Sequence, residues 1–338
     1  MQVAVIIPFY QRAAHILGRA ILSVGAQEVP EGVTLQIVVV DDGSPVPAGE
    51  EVAALPPGLR QRVTIITQPN GGPGAARNRA LDWVAGQAGQ VDVVAFLDSD
   101  DTWAPRHIAD ALACLALGHD LYFCNHRRFE DTETYFDLVP DLREIGRDDR
   151  PGVAVLTEAG PVLSLTPEAL LTLQIITYPS QTSTVVIRAE RVLRQRFDRD
   201  LRRAGEDHLF WVAIAADRPR TAMSWRCNVR CGRGVNVYFG AQDWGSARVV
   251  ERVGDVLMFH QKAAAFDLPA RDRRLLHERT RHYARGYSFH FLRALLLGRR
   301  PSFRQFRRLV RMSPDLLLWM PGRFLRVMVD RRPEARFW

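Results

Sequence analysis

The chain has 338 residues, 47% of them hydrophobic and 25% charged, a balance that fits a folded globular protein and excludes intrinsic disorder. No uninterrupted apolar run approaches the 18 residues a spanning helix needs, so a simple membrane span is not expected. The net charge of +7 conceals a division: residues 271–338 hold 18 Arg against five acids, leaving an acidic body and a basic tail.

In chain order, the N-terminus enters an apolar strand at once, Val3 to Ile7, with no basic leader before it, and Pro8 is expected to stop it. Phe9-Tyr10-Gln11-Arg12 leads into a helix with Ile16, Leu17, Ala20, Ile21 and Val24 on one face. A second strand, Leu35 to Val40, ends in Asp41-Asp42-Gly43-Ser44. A third, Val63 to Ile66, leads to Asn70-Gly71-Gly72-Pro73-Gly74-Ala75-Ala76-Arg77-Asn78. There glycine lets backbone approach a ligand, Pro73 suits a first helical turn, and the helix N-terminus with Arg77 can receive an anion. A fourth strand ends in Leu97-Asp98-Ser99-Asp100-Asp101, and a further strand is expected at Leu121 to Cys124.

Apolar strands alternating with helices predict an α/β fold, a mostly parallel sheet covered on both faces. A parallel sheet puts the C-terminal ends of its strands on one rim, where ligands bind. Two acidic clusters and a cationic loop gathered there suit a nucleoside diphosphate with a divalent cation between carboxylates and phosphates. Hard oxygen donors favour Mg²⁺ or Mn²⁺.

Val5-Ile6-Ile7-Pro8-Phe9-Tyr10, Val39-Val40-Asp41-Asp42-Gly43-Ser44, Gly74-Ala75-Ala76-Arg77-Asn78 and Phe96-Leu97-Asp98-Ser99-Asp100-Asp101 together resemble, in order and spacing, the family 2 glycosyltransferases. The resemblance covers roughly residues 1–120 and implies a Rossmann-like GT-A fold, a sugar-nucleotide donor, transfer with inversion and metal dependence. It implies that Asp41 and Asp42 lie near base and ribose, and that Arg77 contacts base or phosphate. Asp100 would be the main metal ligand, and Asp98 would reach ribose or metal-bound water. The expected donor-binding set is Pro8, Tyr10, Arg12, Asp41, Asp42, Asn70, Gly74, Arg77, Asp98 and Ser99.

From Phe129 to Pro167 the chain is polar and weakly patterned, and reads as a long excursion over the acceptor side. A strand with a polar start is expected over Gln181–Arg188, with Thr182 and Ser183 as candidate diphosphate or acceptor contacts. Glu206-Asp207 opens a helix, where an acid in the first turn needs no other reason than the helix dipole. By the resemblance, Asp207 is the general base and Glu206 a partner that orients sugar or acceptor; His208 beside them reads as a satisfied surface residue or as a group that tunes Asp207. Members of the family often carry a His where Cys231 stands here, and a thiol is a poor Mg²⁺ ligand, which leaves a third metal ligand open. Arg230 and Arg233 are expected in a Gly-flanked loop that closes over the diphosphate. Cys114, Cys124, Cys227 and Cys231 form no disulfide framework or zinc pattern and are expected as reduced cytoplasmic thiols.

The tail reads as cationic helices, with Tyr283, Tyr287, His290 and Phe291 on one face and Phe303, Phe306, Leu309 and Val310 on another. A last apolar run, Leu316 to Val329, is interrupted by Pro321-Gly322. It suits packing on protein or lying at an anionic membrane surface. Nucleic acid is not expected, because no binding fold accompanies the charge. The organisation expected is a transferase domain over 1–265, with a donor half (1–125) and an acceptor half (126–265), followed by a helical tail over 266–338. The activity expected is transfer from a nucleotide sugar, UDP-linked by preference, to a glycan or lipid-linked acceptor in surface or exopolysaccharide synthesis. The cell site expected is cytoplasmic, peripheral at the inner face of the membrane. The rivals are a nucleotidyltransferase, which would want a Gly-rich basic loop after the first strand, and a non-catalytic sugar-binding scaffold.

Overall fold

The computed structural model describes residues 1–12, 14–87, 89–128, 131–145, 154–157, 160–202, 204–232 and 248–329. The described residues within Met1–Arg199 and Phe210–Val235 form one compact unit, and those within Asp200–Leu209 and Asn236–Trp338 form a second.

The first unit is built on one sheet. Its strands are β1 (Gln2–Phe9), β2 (Thr34–Asp41), β3 (Val63–Thr67), β4 (Val93–Phe96), β5 (Thr102–Trp103), β6 (Leu121–Arg128), β7 (Ala154–Thr157), β8 (Gly160–Leu165), β9 (Val185–Arg188) and β10 (Thr221–Cys231). The spatial order is β3-β2-β1-β4-β9-β6-β10-β8-β7, with β5 paired to β10. β3, β2, β1 and β4 are mutually parallel, and β6 is parallel to β10. Val3 to Ile7 are wholly buried because both faces are covered. Val3, Val5 and Ile7 pack with Leu17, Ala20, Ile21 and Val24 of the helix Leu17–Gly25, as the periodicity requires. The helix Pro73–Gly86 touches β1 and β2 and buries Ala76, Ala80, Leu81 and Val84. Each such Val, Ile or Leu stabilises by about 1.5–3 kcal/mol relative to exposure.

Several expectations meet a different geometry. Pro8 does not end β1 but pairs with Val40 inside it. The ladder to β4 stops at Ile6–Phe96, so no neighbour on that side needs the N–H that Pro8 lacks. Gln181–Thr184 is not the start of a strand, because Thr182–Thr184 form a 3₁₀ turn and β9 begins at Val185. The Gln181 side chain accepts from Ser183 N–H, and the Thr184 hydroxyl donates to Gln181 C=O, so local bonds replace ladder bonds. β9 enters antiparallel between β4 and β6, which makes this half of the sheet mixed. The polar segment after β6 supplies two short helices, Tyr135–Leu138 and Pro140–Ile145, and the antiparallel pair β7–β8 at the sheet edge.

The second unit contains the helices Val249–Ala263, Ala270–Leu296, Phe303–Met312 and Asp315–Val329. Asp255 joins them: one carboxylate oxygen accepts from Gln305 Nε2 at 2.6 Å and the other from Arg202 N–H at 3.0 Å. A Cβ on Gly254 would lie 2.3 Å from Gln305 Oε1, so glycine permits this crossing. Pro321 does not interrupt the last helix, which runs through it. The carbonyl that loses its donor belongs to Leu317, which is exposed.

Candidate active site

Four strand ends and the turn before β9 are tied together by polar side chains, most of them buried or half-buried. At the end of β2, Asp41 accepts from the backbone N–H groups of Ser44 (2.8 Å) and Ala48 (2.9 Å). Asp42 accepts from Gly71 N–H (2.8 Å), Gly72 N–H (2.7 Å) and Gln68 Nε2 (2.6 Å), while Asn70 Nδ2 donates to Asp42 C=O. Both carboxylates therefore hold loops, and Asp42 in particular sets the Gly-rich turn against β2. Gly72, at φ 91°, is the N-cap from which Pro73 opens the helix.

One turn into that helix, Arg77 is buried and its Nη2 lies 2.7 Å from Asp98 Oδ1. Its guanidinium also sits 5.3 Å from the centre of the Phe197 ring. Phe197 is held by reciprocal bonds with Asn78: Phe197 N–H donates to Asn78 Oδ1 and Asn78 Nδ2 donates to Phe197 C=O. From the end of β1, Gln11 exchanges bonds with Ser44 and donates through Nε2 to Ser99 Oγ at 3.2 Å. The loops after β1, β2, β3 and β4 are thus joined through Gln11, Asp42 and Arg77. Pro8 and Tyr10 are half-buried at this end, Gly74 is buried in the first helical turn, and Arg12 and Asn70 are exposed.

Asp101, absent from the expected set, is the pin of the β4 loop. It is buried, and one oxygen accepts from Ser183 Oγ (2.5 Å) and Gln181 Nε2 (3.1 Å). Its other oxygen accepts from Gly232 N–H at 2.8 Å. Ser183 Oγ in turn accepts from Asp98 N–H at 2.9 Å. Ser183 and Thr182 are almost wholly buried, and the Thr182 hydroxyl is within reach of Trp211 Nε1 and the Tyr178 hydroxyl. The Ser183 hydroxyl thus braces the rim, while the Thr182 hydroxyl faces Trp211 and Tyr178. A Cβ on Gly232 would lie 2.1 Å from Asp100 C=O, so only glycine fits beside the acidic loop.

Burial, and then the charge of Asp98, raise the Asp100 carboxyl to about 6. Burial, then Asp100 and Asp98, push Asp101 well above the ordinary carboxylate range. Arg77 answers Asp98, and no described residue forms an ion pair with Asp100. A carboxylate left short of positive charge is one that a cation would relieve. Among the described residues no group of three or more His, Cys, Asp and Glu is arranged to hold a metal. Mg²⁺ and Mn²⁺ do not require one, since they take one or two carboxylates with phosphate and water completing the shell. Asp100 with Asp98 fits that donor set. Cys231 does not extend it: burial above all, and then Asp101, raise its thiol well above the ordinary range, so it stays protonated.

Arg230 lies in β10, not in a loop, and is exposed between buried Val229 and Cys231, so the strand alternation turns it from the Cys231 side. Arg233 lies outside the described residues. Glu206 and Asp207 form the first turn of the helix Glu206–Ala216, within the stretch grouped with the second unit. Glu206 is buried, and Asp207 is half-buried with its Oδ1 accepting from His208 N–H at 2.7 Å. His208 is half-buried, and its ring stacks on Phe259 at 4.4 Å.

A Rossmann-like sheet whose β1, β2 and β4 run into linked polar loops has the ligand-binding rim of a nucleotide-binding α/β protein. A family profile described as Glycosyl transferase family 2 matches residues 4–158. The succinoglycan biosynthesis protein ExoW of Rhizobium meliloti (strain 1021) is 34% identical over 242 residues, 70% of this chain and 70% of that protein. The chain belongs to glycosyl transferase family 2 and is a glycosyltransferase. The fold is shared with S. aureus TarS 1-349 in complex with UDP, at TM-score 0.58 and 18% identity, over 96% of this chain and 88% of that one. It is shared too with the mannosyltransferase PcManGT from Pyrobaculum calidifontis in complex with GDP-Man and Mn²⁺, at TM-score 0.52 and 17% identity, over 98% and 88%.

Proposed function

We propose that the enzyme transfers a sugar with inversion from a nucleoside-diphosphate sugar, UDP-linked by preference, to a hydroxyl of a growing surface or exopolysaccharide glycan, free or lipid-linked. The observation that carries this reading is the linkage of Asp42, Arg77, Asp98 and Asp101 into one largely buried network at the ends of parallel strands, with Asp100 beside it. The ligands bound to the structural neighbours, UDP and GDP-Man with Mn²⁺, support a nucleotide sugar as donor. The likeness to a succinoglycan biosynthesis protein supports a polysaccharide product.

In this reading Asp41 and Asp42, which hold the loops after β2 and β3, preorganise those loops around base and ribose. Arg77 keeps Asp98 in place beside the ribose. Asp100, with Asp98, would hold a divalent cation. Bound there, the cation would offset charge developing on the departing diphosphate. The acceptor oxygen forms the new bond to the anomeric carbon from the opposite side as the bond to the diphosphate oxygen breaks. Its proton passes to the Asp207 carboxylate, with Glu206 orienting the acceptor.

Calorimetric titration with UDP-, GDP- and dTDP-sugars, each with Mg²⁺, Mn²⁺ and chelator, tests the donor and the metal together. Cation-dependent binding of one nucleotide class is expected. Absence of binding to all three rejects the reading, and NMR of the product's anomeric configuration decides inversion against retention.

A further inference from the structure

We propose that one end of the helical second unit is an interfacial docking surface for an anionic phospholipid bilayer. The last helix, Asp315–Val329, has two apolar faces. Leu316, Met320 and Val327 are buried, with Phe324 stacked on Phe289 at 5.6 Å. The other face carries Leu317, Leu318, Leu325, Met328 and Val329 into solvent. Nothing in a water-soluble helix requires a second apolar stripe.

The packing gathers the last three of these, Leu325, Met328 and Val329, at one end. Ser313 accepts from Gln261 Nε2, next to His260, whose ring lies 4.7 Å from Tyr283. Phe324 meets Phe289 further along, so Asp315–Val329 and Ala270–Leu296 run in the same direction. Met328 and Val329 therefore finish level with the end of the longer helix, where Leu296 and Leu297 are also bare. Leu296, Leu297, Leu325, Met328 and Val329 are all between 55% and 80% exposed.

Charge identifies the occupant. From Phe291 to Pro314 there are seven arginines and no acid. Arg299, Arg300, Arg304 and Arg307 are exposed toward that end, and Phe303 beside Phe291 is half exposed. An apolar tip that enters the acyl boundary, ringed by guanidinium groups at phosphate level, matches an anionic leaflet. A second copy would bring the same arginines against each other, and nucleic acid would leave the leucines uncovered. No described helix is long and apolar enough to cross the bilayer, so the surface lies on the membrane and does not span it.

The test is flotation of the full-length protein with vesicles of phosphatidylcholine alone or mixed with phosphatidylglycerol. The wild type is expected to float with the mixed vesicles at low salt and to be partly released by high salt. Arg300→Gln/Arg304→Gln/Arg307→Gln is expected to lower partitioning on the order of a hundredfold, at roughly fivefold per arginine. Leu325→Gln/Met328→Gln/Val329→Gln is expected to abolish what remains in high salt while transfer to a soluble acceptor is unchanged. Wild-type protein that stays at the bottom with both vesicles overturns the proposal. So does a concentration-dependent dimer that the apolar variant abolishes without any change in flotation. No nucleotide or sugar enters this experiment, so its failure leaves the sugar-transfer reading intact.

Discussion

The rim of the sheet and the tip of the helical unit solve opposite problems. At the rim, charged and polar groups are taken out of water, and nearly every one is answered by a named donor or acceptor: Asp42 by the Gly71–Gly72 turn, Asp98 by Arg77, and Asp101 by Ser183 and Gly232. At the tip, apolar groups are left in water with nothing described against them. Buried polarity fixes geometry because every unmet bond costs free energy, whereas exposed apolar surface is adaptable and waits for a partner. The two regions therefore differ in what they tolerate, and substitutions separate them.

The largest effect is expected where chemistry is assigned. Asp207→Asn should lower transfer by about 10²–10⁴-fold while calorimetry shows donor affinity unchanged; substantial residual transfer moves the base elsewhere. Gly232→Ala comes next, because its methyl group would have to displace the Asp100 backbone. A loss of about 1–3 kcal/mol in denaturant unfolding is expected, together with weakened cation-dependent nucleotide binding, and wild-type behaviour in both would show that the acidic loop is slack.

The pH response sharpens the contrast, since the two regions have opposite signs. The raised Asp100 makes the folded state bind a proton more tightly than the unfolded chain does. Its contribution is present below the ordinary carboxylate value and is lost as pH rises through about 6. Without divalent cations the rim is thus least stable near neutrality, Asp100 alone contributing on the order of 3 kcal/mol, and Asp100→Asn should reduce that dependence while Asp101 keeps part of it. In the helical unit, burial lowers His260 to about 4 and His290 to about 3. Their contribution is present above the ordinary histidine value and is lost as pH falls from about 6.5 toward those values. Thermal melts across this range should show acid lability of about 2 kcal/mol that His290→Phe reduces, and an unchanged acid limb would argue that His290 is not held neutral.

The rim was legible because its strands are uninterrupted apolar runs that end abruptly in Asp, Gly or Arg. A hydrophobic period changing to a polar cluster marks a strand end on a parallel sheet without knowledge of tertiary contacts. Gln11, Asn78 and Asp101 were not legible, since each looks like ordinary loop or helix polarity until its partner is known. Those partners are distant in sequence, as with Asn78 and Phe197. The antiparallel entry of β9 was hidden for the same reason: Val185–Arg188 carries no mark of which strands it will separate. In the tail the helices were readable from their spacing, but the joining of Asp255, Gln305 and Arg202 was not.

The distance between Asp101 and its braces has a consequence for synthesis. Asp98 and Asp101 leave the ribosome well before Ser183, and Gly232 follows 131 residues after Asp101. A nascent chain that has emerged only as far as Arg128 carries every donor motif but neither brace for the acidic loop. On the proposed function, competence to grip a sugar nucleotide arrives late in translation, and truncated products should sequester little of the cell's donor pool.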